Sequence, residues 1–362
     1  MTKVANKAEN QVKTNLENEN NKMKAVVRRQ DDSSSNHESC VDTILPVPES
    51  PTGHNLLVQV EAVSATANVK AQRSFGADTG DEVYGFDAVG IVEQSGADAT
   101  LFHPGDKVWY AGDITRPGSY AQFQLVDERI VGHAPKTLKP EEAAALPLTG
   151  LTAWETLFDK LHLSEDSKGT LLVIGAAGGV GSILIQLAKQ LTKLNVIALA
   201  SKPESQMWVR KMGADYVLDY HASDLAKQIL EIAPNGVDYA FSAYSKTAIP
   251  LLAQVMRPFG EIVAIDDQHG HDMDYYALKD KALSWHWELM FARSKHHASD
   301  LIRQHDILER LAELADKGII HTTATTQLDP INAETVNQAQ NLIATSHEIG
   351  KITIAGWPSE SK

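Results

Sequence analysis

The sequence predicts an α/β protein in which a β-rich unit is interrupted by a doubly wound parallel sheet. Three observations carry this expectation. Residues 23–146 hold short β runs broken by Gly, Pro and Asp, the texture of a small barrel or sandwich. From about Pro147 strand and helix patterns alternate, which puts helices on both faces of a parallel sheet. Near Arg293 the alternation stops, and Lys351-Ile-Thr-Ile354 reads as a strand returning to the first unit. For a chain of 362 residues, at roughly 150 residues per domain, two domains are expected. They are 23–146 with 294–362, and 147–293.

The elements follow in chain order. Residues 1–22 are polar, rich in Asn, Lys and Glu, and carry no apolar segment of a secretory signal; a disordered tail is expected. Met23 is an alternative natural start, and Met23-Lys-Ala-Val-Val27 has strand composition. Leu56 to Val63, Ala88 to Glu93 and Lys107 to Ala111 are strand candidates, the last preceded by a Pro104-Gly-Asp106 turn. Thr170 to Ile174 is an apolar run suited to a buried parallel strand. Ser284 to Phe291 alternates at strand period, with Trp285, Trp287, Leu289 and Phe291 on one face and Ser284, His286 and Glu288 on the other. Asp300 to Lys317 is an amphipathic helix with Leu301, His305, Leu308, Leu311 and Ala315 on one stripe.

Composition excludes several classes. The net charge of −14 disfavours a general binder of nucleic acid or anionic lipid. No apolar run approaches the roughly 18 residues that span a bilayer. Cys40 is the single cysteine, so an internal disulfide framework and a multi-thiolate metal site are both excluded. A lone thiol without a flanking base is ordinarily inert. The expected setting is the cytoplasm. His269, His271 and Asp272 could hold a metal, but two histidines in a Gly-containing loop with no further ligand at a known spacing read as polar loop. His296-His297 reads the same way.

The sharpest local signal is Thr170-Leu-Leu-Val-Ile-Gly-Ala-Ala-Gly-Gly-Val-Gly181. It is a strand, a glycine turn and then Val180, Ile183, Leu184, Leu187, Ala188 and Leu191 at helical spacing. The arrangement brings a helix N-terminus and backbone N–H groups against a pyrophosphate. Gly178 allows close approach of phosphate, and Gly181 allows the helix to pack on the strand. Ala176 stands where the usual fingerprint has its first glycine, so Ala176, Ala177, Gly178, Gly179, Val180 and Gly181 form a variant of it. The second strand, Asn195 to Ala200, ends in Ser201 and Lys202 where an NAD-binding protein usually carries Asp or Glu. A carboxylate repels a 2′-phosphate, whereas a hydroxyl and an ammonium attract one. The expected cofactor is NADP(H).

These residues resemble the medium-chain dehydrogenase/reductase superfamily over residues 23–358. Phe102-His-Pro-Gly-Asp-Lys-Val108, Glu142-Ala-Ala-Ala-Leu-Pro-Leu-Thr-Gly-Leu-Thr-Ala-Trp154, Gly213-Ala-Asp215 and Gly350-Lys351 match it. Within it, Ala111-Gly-Asp-Ile-Thr-Arg-Pro-Gly118, Leu125-Val-Asp-Glu-Arg-Ile-Val131 and His286-Trp-Glu-Leu-Met-Phe291 resemble the NADPH:quinone oxidoreductase branch, in the group labelled zinc-type alcohol dehydrogenase-like. The resemblance implies a GroES-like catalytic domain interrupted by a Rossmann domain. Zinc-dependent relatives hold their metal with a Cys, a His and a second Cys; the matching positions are Thr66, Phe86 and Leu148, none of them a zinc ligand. No catalytic or structural zinc is expected. Without its carbonyl polarisation, the substrate should already be electrophilic: a quinone or an α,β-unsaturated carbonyl. The same resemblance places Tyr220 by the adenosine 2′-phosphate, Thr152 on the nicotinamide side, and Ile265 and Asp266 along the nicotinamide pocket.

The Asn-Pro-x-Asp segment of quinone-reductase relatives is replaced by Ser64-Ala-Thr-Ala-Asn-Val-Lys70, so Thr66 and Val69 stand at its Asn and Asp positions. The proton donor stays open between solvent, Thr66 and Tyr110. Asp87, in place of the Glu of the zinc-type Gly-His-Glu segment, is either a buried structural carboxylate or part of the substrate pocket. A catalytically weak NADPH-binding protein of the crystallin-like or sensing kind, and a zinc-type alcohol dehydrogenase, are the alternatives. In the superfamily the strand matching Ser284 to Phe291 lies at the sheet edge and pairs with its mate. A homodimer through that strand is therefore expected, weakened by proline at His286 or Glu288.

Overall fold

The computed structural model describes residues 21–29, 39–66, 82–266, 274–344 and 348–359. The strands are β1 (Lys22–Arg29), β2 (Ser39–Pro46), β3 (Asn55–Ser64), β4 (Glu82–Val83), β5 (Ala88–Ser95), β6 (Lys107–Tyr110), β7 (Phe123–Asp127), β8 (Val131–His133), β9 (Lys168–Ile174), β10 (Lys193–Leu199), β11 (Tyr216–Leu218), β12 (Val237–Ser242), β13 (Met256–Ala264), β14 (Ser284–Trp287), β15 (Ala324–Leu328) and β16 (Lys351–Ala355). The helices are α1 (Pro140–Ala143), α2 (Pro147–Trp154), α3 (Gly179–Leu191), α4 (Pro203–Lys211), α5 (Leu225–Ile232), α6 (Ser245–Val255), α7 (Ala292–Lys295), α8 (Arg303–Asp316) and α9 (Ala333–Ala344). A π-helical segment, Glu155–Lys160, continues α2.

The strands form two principal sheets. The GroES-like sheet runs β15-β16-β3-β5-β6-β8, with β7 also on β3. β1 joins β2 and β4 in a small third sheet. The Rossmann sheet runs β11-β10-β9-β12-β13-β14 and every pairing in it is parallel. Its buried strands are unbroken runs of Leu, Val, Ile and Ala because helices cover both faces. The C-terminal β16 pairs antiparallel with β3, so the chain does return to its first unit. Lys22, expected in the tail, opens β1; the rest of the described chain before it is Asn21 alone.

One apolar core crosses between the two sheets. Phe86, Val89 and Trp109 of the first unit pack in one cluster with Leu171, Val173, Ile183 and Leu187 of the second, and α8 adds Ile307, Leu308 and Leu311. Separate clusters fill the interior of the β unit and the far face of the Rossmann sheet. The apolar members of the stripe expected on the helix near residue 308 are therefore buried, and within it the half-buried His305 makes a hydrogen bond of 2.7 Å to the Val131 carbonyl. Among the described residues no helix is long and apolar enough to cross a membrane.

The expected strand over Ser284 to Phe291 is shorter. It ends at Trp287, and Met290 and Phe291 turn inward, where Phe291 meets Phe86 at a ring separation of 4.8 Å. Trp285 and Trp287 do share a face, 5.6 Å apart, at the sheet edge. Glu288 is not an outward charge: it is 4% exposed. Its N–H donates to the Ala264 carbonyl at 2.9 Å, and alternation along the strand aims the His286 N–H the same way. Proline at either position would break the ladder within one subunit. The outward N–H groups are those of Trp285 and Trp287.

Glu288 lies against Glu155 of the π-helical segment, in a cluster completed by Asp159, Lys160, Arg293, Asp300 and Arg303. Arg293 reaches Glu155 at 2.7 Å and both Asp159 and Asp300 at 3.0 Å; Arg303 reaches Asp159 at 3.2 Å and Lys160 approaches Glu288 at 3.8 Å. Four acids thus face three bases. Burial, reinforced by the Glu155 charge, pushes Glu288 from its ordinary 4.5 up to about 9. A carboxyl raised on folding stabilises fully below its ordinary value, and the contribution is lost as pH rises to about 9. Glu288→Gln keeps the neutral form. Its melting temperature should exceed the native one by about 2–6 °C at pH 8 and match it at pH 5, measured by circular dichroism.

Candidate functional site

β9 delivers the chain to a left-handed Gly175 (φ +86°), and α3 begins four residues later with Gly178 as its N-cap residue. The turn closes through Gly178 N–H to the Gly175 carbonyl at 3.2 Å. No side chain caps the helix, so its first amide N–H groups are left for an external acceptor. A Cβ on Gly181 would stand 2.5 Å from the Gly175 oxygen and 2.6 Å from the Ala176 oxygen; only glycine permits this helix-to-strand approach. A Cβ on Gly178 would meet only the Gly175 oxygen, at 3.5 Å, so that face is open. Ala176 is buried in the shared core and Ala177 packs against it. An uncapped, open-faced turn of this shape fits a dinucleotide pyrophosphate.

A second segment holds the turn from the far end of the chain. Gly350 N–H donates to the Ala177 carbonyl at 2.8 Å and bridges Gly178. The next residue, Lys351, is buried, and its stem would lie 3.2 Å from a Cβ on Gly179. Its ammonium donates to the Ala65 carbonyl at 2.9 Å and lies 3.4 Å from Asp87 Oδ2. Burial pushes this lysine down, and the Asp87 charge opposes the shift. Asp87 is fully buried. Its Oδ1 accepts the Leu148 N–H at 2.7 Å, at the start of α2, and its Oδ2 accepts the Ser64 hydroxyl. Of the two readings open for Asp87, the geometry is that of the buried, hydrogen-bonded carboxylate. It holds the segment carrying Thr66, α2 and the lysine together.

The remaining candidates separate. Thr66 is buried just past β3, beside Ala65; Asn68 and Val69 lie outside the described residues, as do His269, His271 and Asp272. Thr152 is buried on α2, donating to the Leu148 carbonyl at 2.8 Å. Ser64, Leu148 and Lys351 hold Asp87, and Tyr110 is not one of these partners. It points into the β unit's own core, away from the shared core that holds Trp109, and donates to Gln124 at 3.0 Å. Burial pushes its phenol up, which makes it a poor ionising group. At the Rossmann edge, Ala200 N–H donates to Leu218 O at 2.9 Å. Ser201 and Lys202 therefore lie beside the loop of Tyr220, which is 51% exposed and meets the His221 ring at a tilt, 4.4 Å between centroids. Ile265 packs on the shared core, and Asp266 accepts the backbone N–H (2.8 Å) and hydroxyl of Ser245. Burial raises the Cys40 thiol, in keeping with inertness.

Sequence reasoning missed the parts played by Ser64 and Lys351. Gly350-Lys351 is visible as a family match, but nothing in its spacing shows that it meets residues 177 and 87. Tyr244, beside Gly175, carried no signal in the sequence at all.

The fold and this turn define a two-domain oxidoreductase of the medium-chain dehydrogenase/reductase superfamily. The zinc-binding dehydrogenase family matches residues 179–283. The zinc-type alcohol dehydrogenase-like protein of Staphylococcus epidermidis is 38% identical over 309 residues, 84% of this chain and 91% of that one. A Rhizobium etli crystal structure described as a zinc-dependent alcohol dehydrogenase protein is 42% identical, with a TM-score of 0.87 over 93% of this chain and 99% of that chain. The Coxiella burnetii quinone oxidoreductase shares the fold, with a TM-score of 0.74 at 23% identity over 93% of this chain and all of that chain. The chain belongs to the zinc-type alcohol dehydrogenase-like family.

The Asp87–Lys351 pair can be tested alone. Asp87→Asn strands a buried ammonium, and stability should fall by about 3 kcal/mol. Lys351→Met in that background should recover part of the loss in a denaturant double-mutant cycle. A neutral Asp87→Asn would show that the pair holds nothing.

Proposed function

We propose that this protein is a zinc-independent reductase that transfers hydride from NADPH to a quinone or an α,β-unsaturated carbonyl. The observation that carries it is the chemistry at the three positions where zinc-dependent relatives hold metal. They are Thr66, Phe86 and Leu148, and Phe86 is packed against Phe291 at 4.8 Å. Aromatic carbon there supplies no donor for a cation, and without a metal to polarise it the acceptor must already be electrophilic. NADPH, when bound, supplies the hydride. The α3 amides would hold its pyrophosphate, with Ser201, Lys202 and Tyr220 at its 2′-phosphate and Thr152 and Ile265 toward its nicotinamide. We assign residues 147–293 to this role and residues 23–146 with 294–362 to the acceptor side. Asp87 keeps the two in register. A quinone takes its protons from solvent, so Tyr110, committed to Gln124, is not needed as an acid.

The test is NADPH oxidation against a panel of quinones and enones, with NADH alongside and with a chelator present. Turnover should favour NADPH and survive the chelator. Lys202→Ala should weaken NADPH binding by roughly tenfold to a hundredfold and leave NADH nearly unchanged. NADPH binding without turnover on any acceptor would favour a sensing or crystallin-like role, and stoichiometric zinc with alcohol oxidation would favour the zinc-type alternative.

We further propose a homodimer through the outer edge of β14. That edge exposes the N–H groups of Trp285 and Trp287, and Trp287 is 49% exposed. Sedimentation should show a dimer at micromolar concentration, and Trp287→Pro should shift it to monomer by removing an outward ladder donor.

A further inference from the structure

The strand order of the Rossmann sheet reverses between β9 and β12. β9 leads to β10 and β11 on one side and borders β12, β13 and β14 on the other. In such sheets a dinucleotide lies across the reversal, one nucleotide over each half. The glycine turn after β9 forms one lip of that crevice. Tyr244, just past the end of β12, forms the other. A Cβ on Gly175 would stand 3.4 Å from Tyr244 Cε2, so the ring lies against the turn itself. Yet 49% of Tyr244 is open to solvent, and among the described residues none hydrogen-bonds its hydroxyl.

The backbone that carries this ring is pinned on both sides. Tyr244 N–H donates to Ser242 Oγ at 3.2 Å. The Tyr244 carbonyl accepts the Ala248 N–H at 3.1 Å and the Thr247 hydroxyl at 3.3 Å. The adjacent Ser245 is tied to Asp266 through both its N–H and its hydroxyl. An aromatic residue on a pinned backbone, with half its surface exposed, is organised for contact with something other than its own fold. Its position excludes the adenosine half, which lies toward Lys202 and Tyr220 on the opposite side of β9.

We infer that Tyr244 is a positioning residue for the cofactor, its ring forming the wall against which the nicotinamide half of the dinucleotide is laid. This rests on the dinucleotide reading above. It assigns the two ends of the cofactor to separate side chains. Lys202 reads the 2′-phosphate and discriminates NADPH from NADH, whereas Tyr244 touches the half common to both and affects them equally.

Calorimetric titration with NADP⁺ and with 2′,5′-ADP, which lacks the nicotinamide half, separates the two. Tyr244→Ala should weaken NADP⁺ by about tenfold and leave 2′,5′-ADP within about twofold of native. Tyr244→Phe should keep near-native affinity for both. The melting temperature of each variant without ligand should stay native, since the ring is half exposed. Unchanged NADP⁺ affinity in Tyr244→Ala would overturn the inference. So would equal losses for both ligands, which would mean that the substitution disturbs the turn rather than removing a contact. Native protein that binds neither ligand would overturn the dinucleotide reading and this inference with it.

Discussion

A single buried carboxylate sets the geometry of this molecule. Asp87 has no exposure to water, and its two oxygens are divided among Ser64, Leu148 and Lys351. A charge so placed is costly unless every partner stays in position. That cost gives the arrangement its rigidity. The three partners belong to β3, α2 and β16, and one residue before Lys351 the chain is bonded to the glycine turn. Any shift of the glycine turn relative to β3 and α2 would strip a hydrogen bond or a counter-charge from this carboxylate.

Around this hub the packing is continuous. The same apolar cluster contains Trp109 of the GroES-like sheet, Leu171 of the Rossmann sheet and Leu311 of α8. Phe86 and Phe291 belong to it as well, their rings 4.8 Å apart, so the residue next to the buried carboxylate is committed to the apolar core.

The legible parts were those written in local pattern. The strand, glycine turn and helix of residues 170–191 were readable because each residue's role depends on its immediate neighbours. The strands at 56–63, 88–93 and 107–111 followed from period and turn residues. A period of two sets neighbours such as Trp109 and Tyr110 on opposite faces, but it carries no information on which face meets the second domain. Tyr110 was therefore kept as a candidate acid although it points into a closed core. The strand from Ser284 failed at Glu288 for a related reason. Alternation sets that side chain opposite the tryptophans, while the chain turns inward after Trp287 and buries it beside Glu155, with Lys160 3.8 Å away. Asp87 with Lys351 was illegible because it is a contact between residues 264 positions apart, set by topology alone.

The insertion of β16 between β15 and β3 has a consequence for how the protein is made. The strand, glycine turn and helix of this site are contiguous in the chain, from Lys168 to Leu191. Its final support, Gly350 and Lys351, is synthesised about 170 residues later, a delay of roughly ten to thirty seconds at ordinary elongation rates. Until then Asp87 has no counter-charge and β3 lacks its β16 neighbour. The glycine turn therefore precedes, by that interval, both residues that brace it from the far end of the chain.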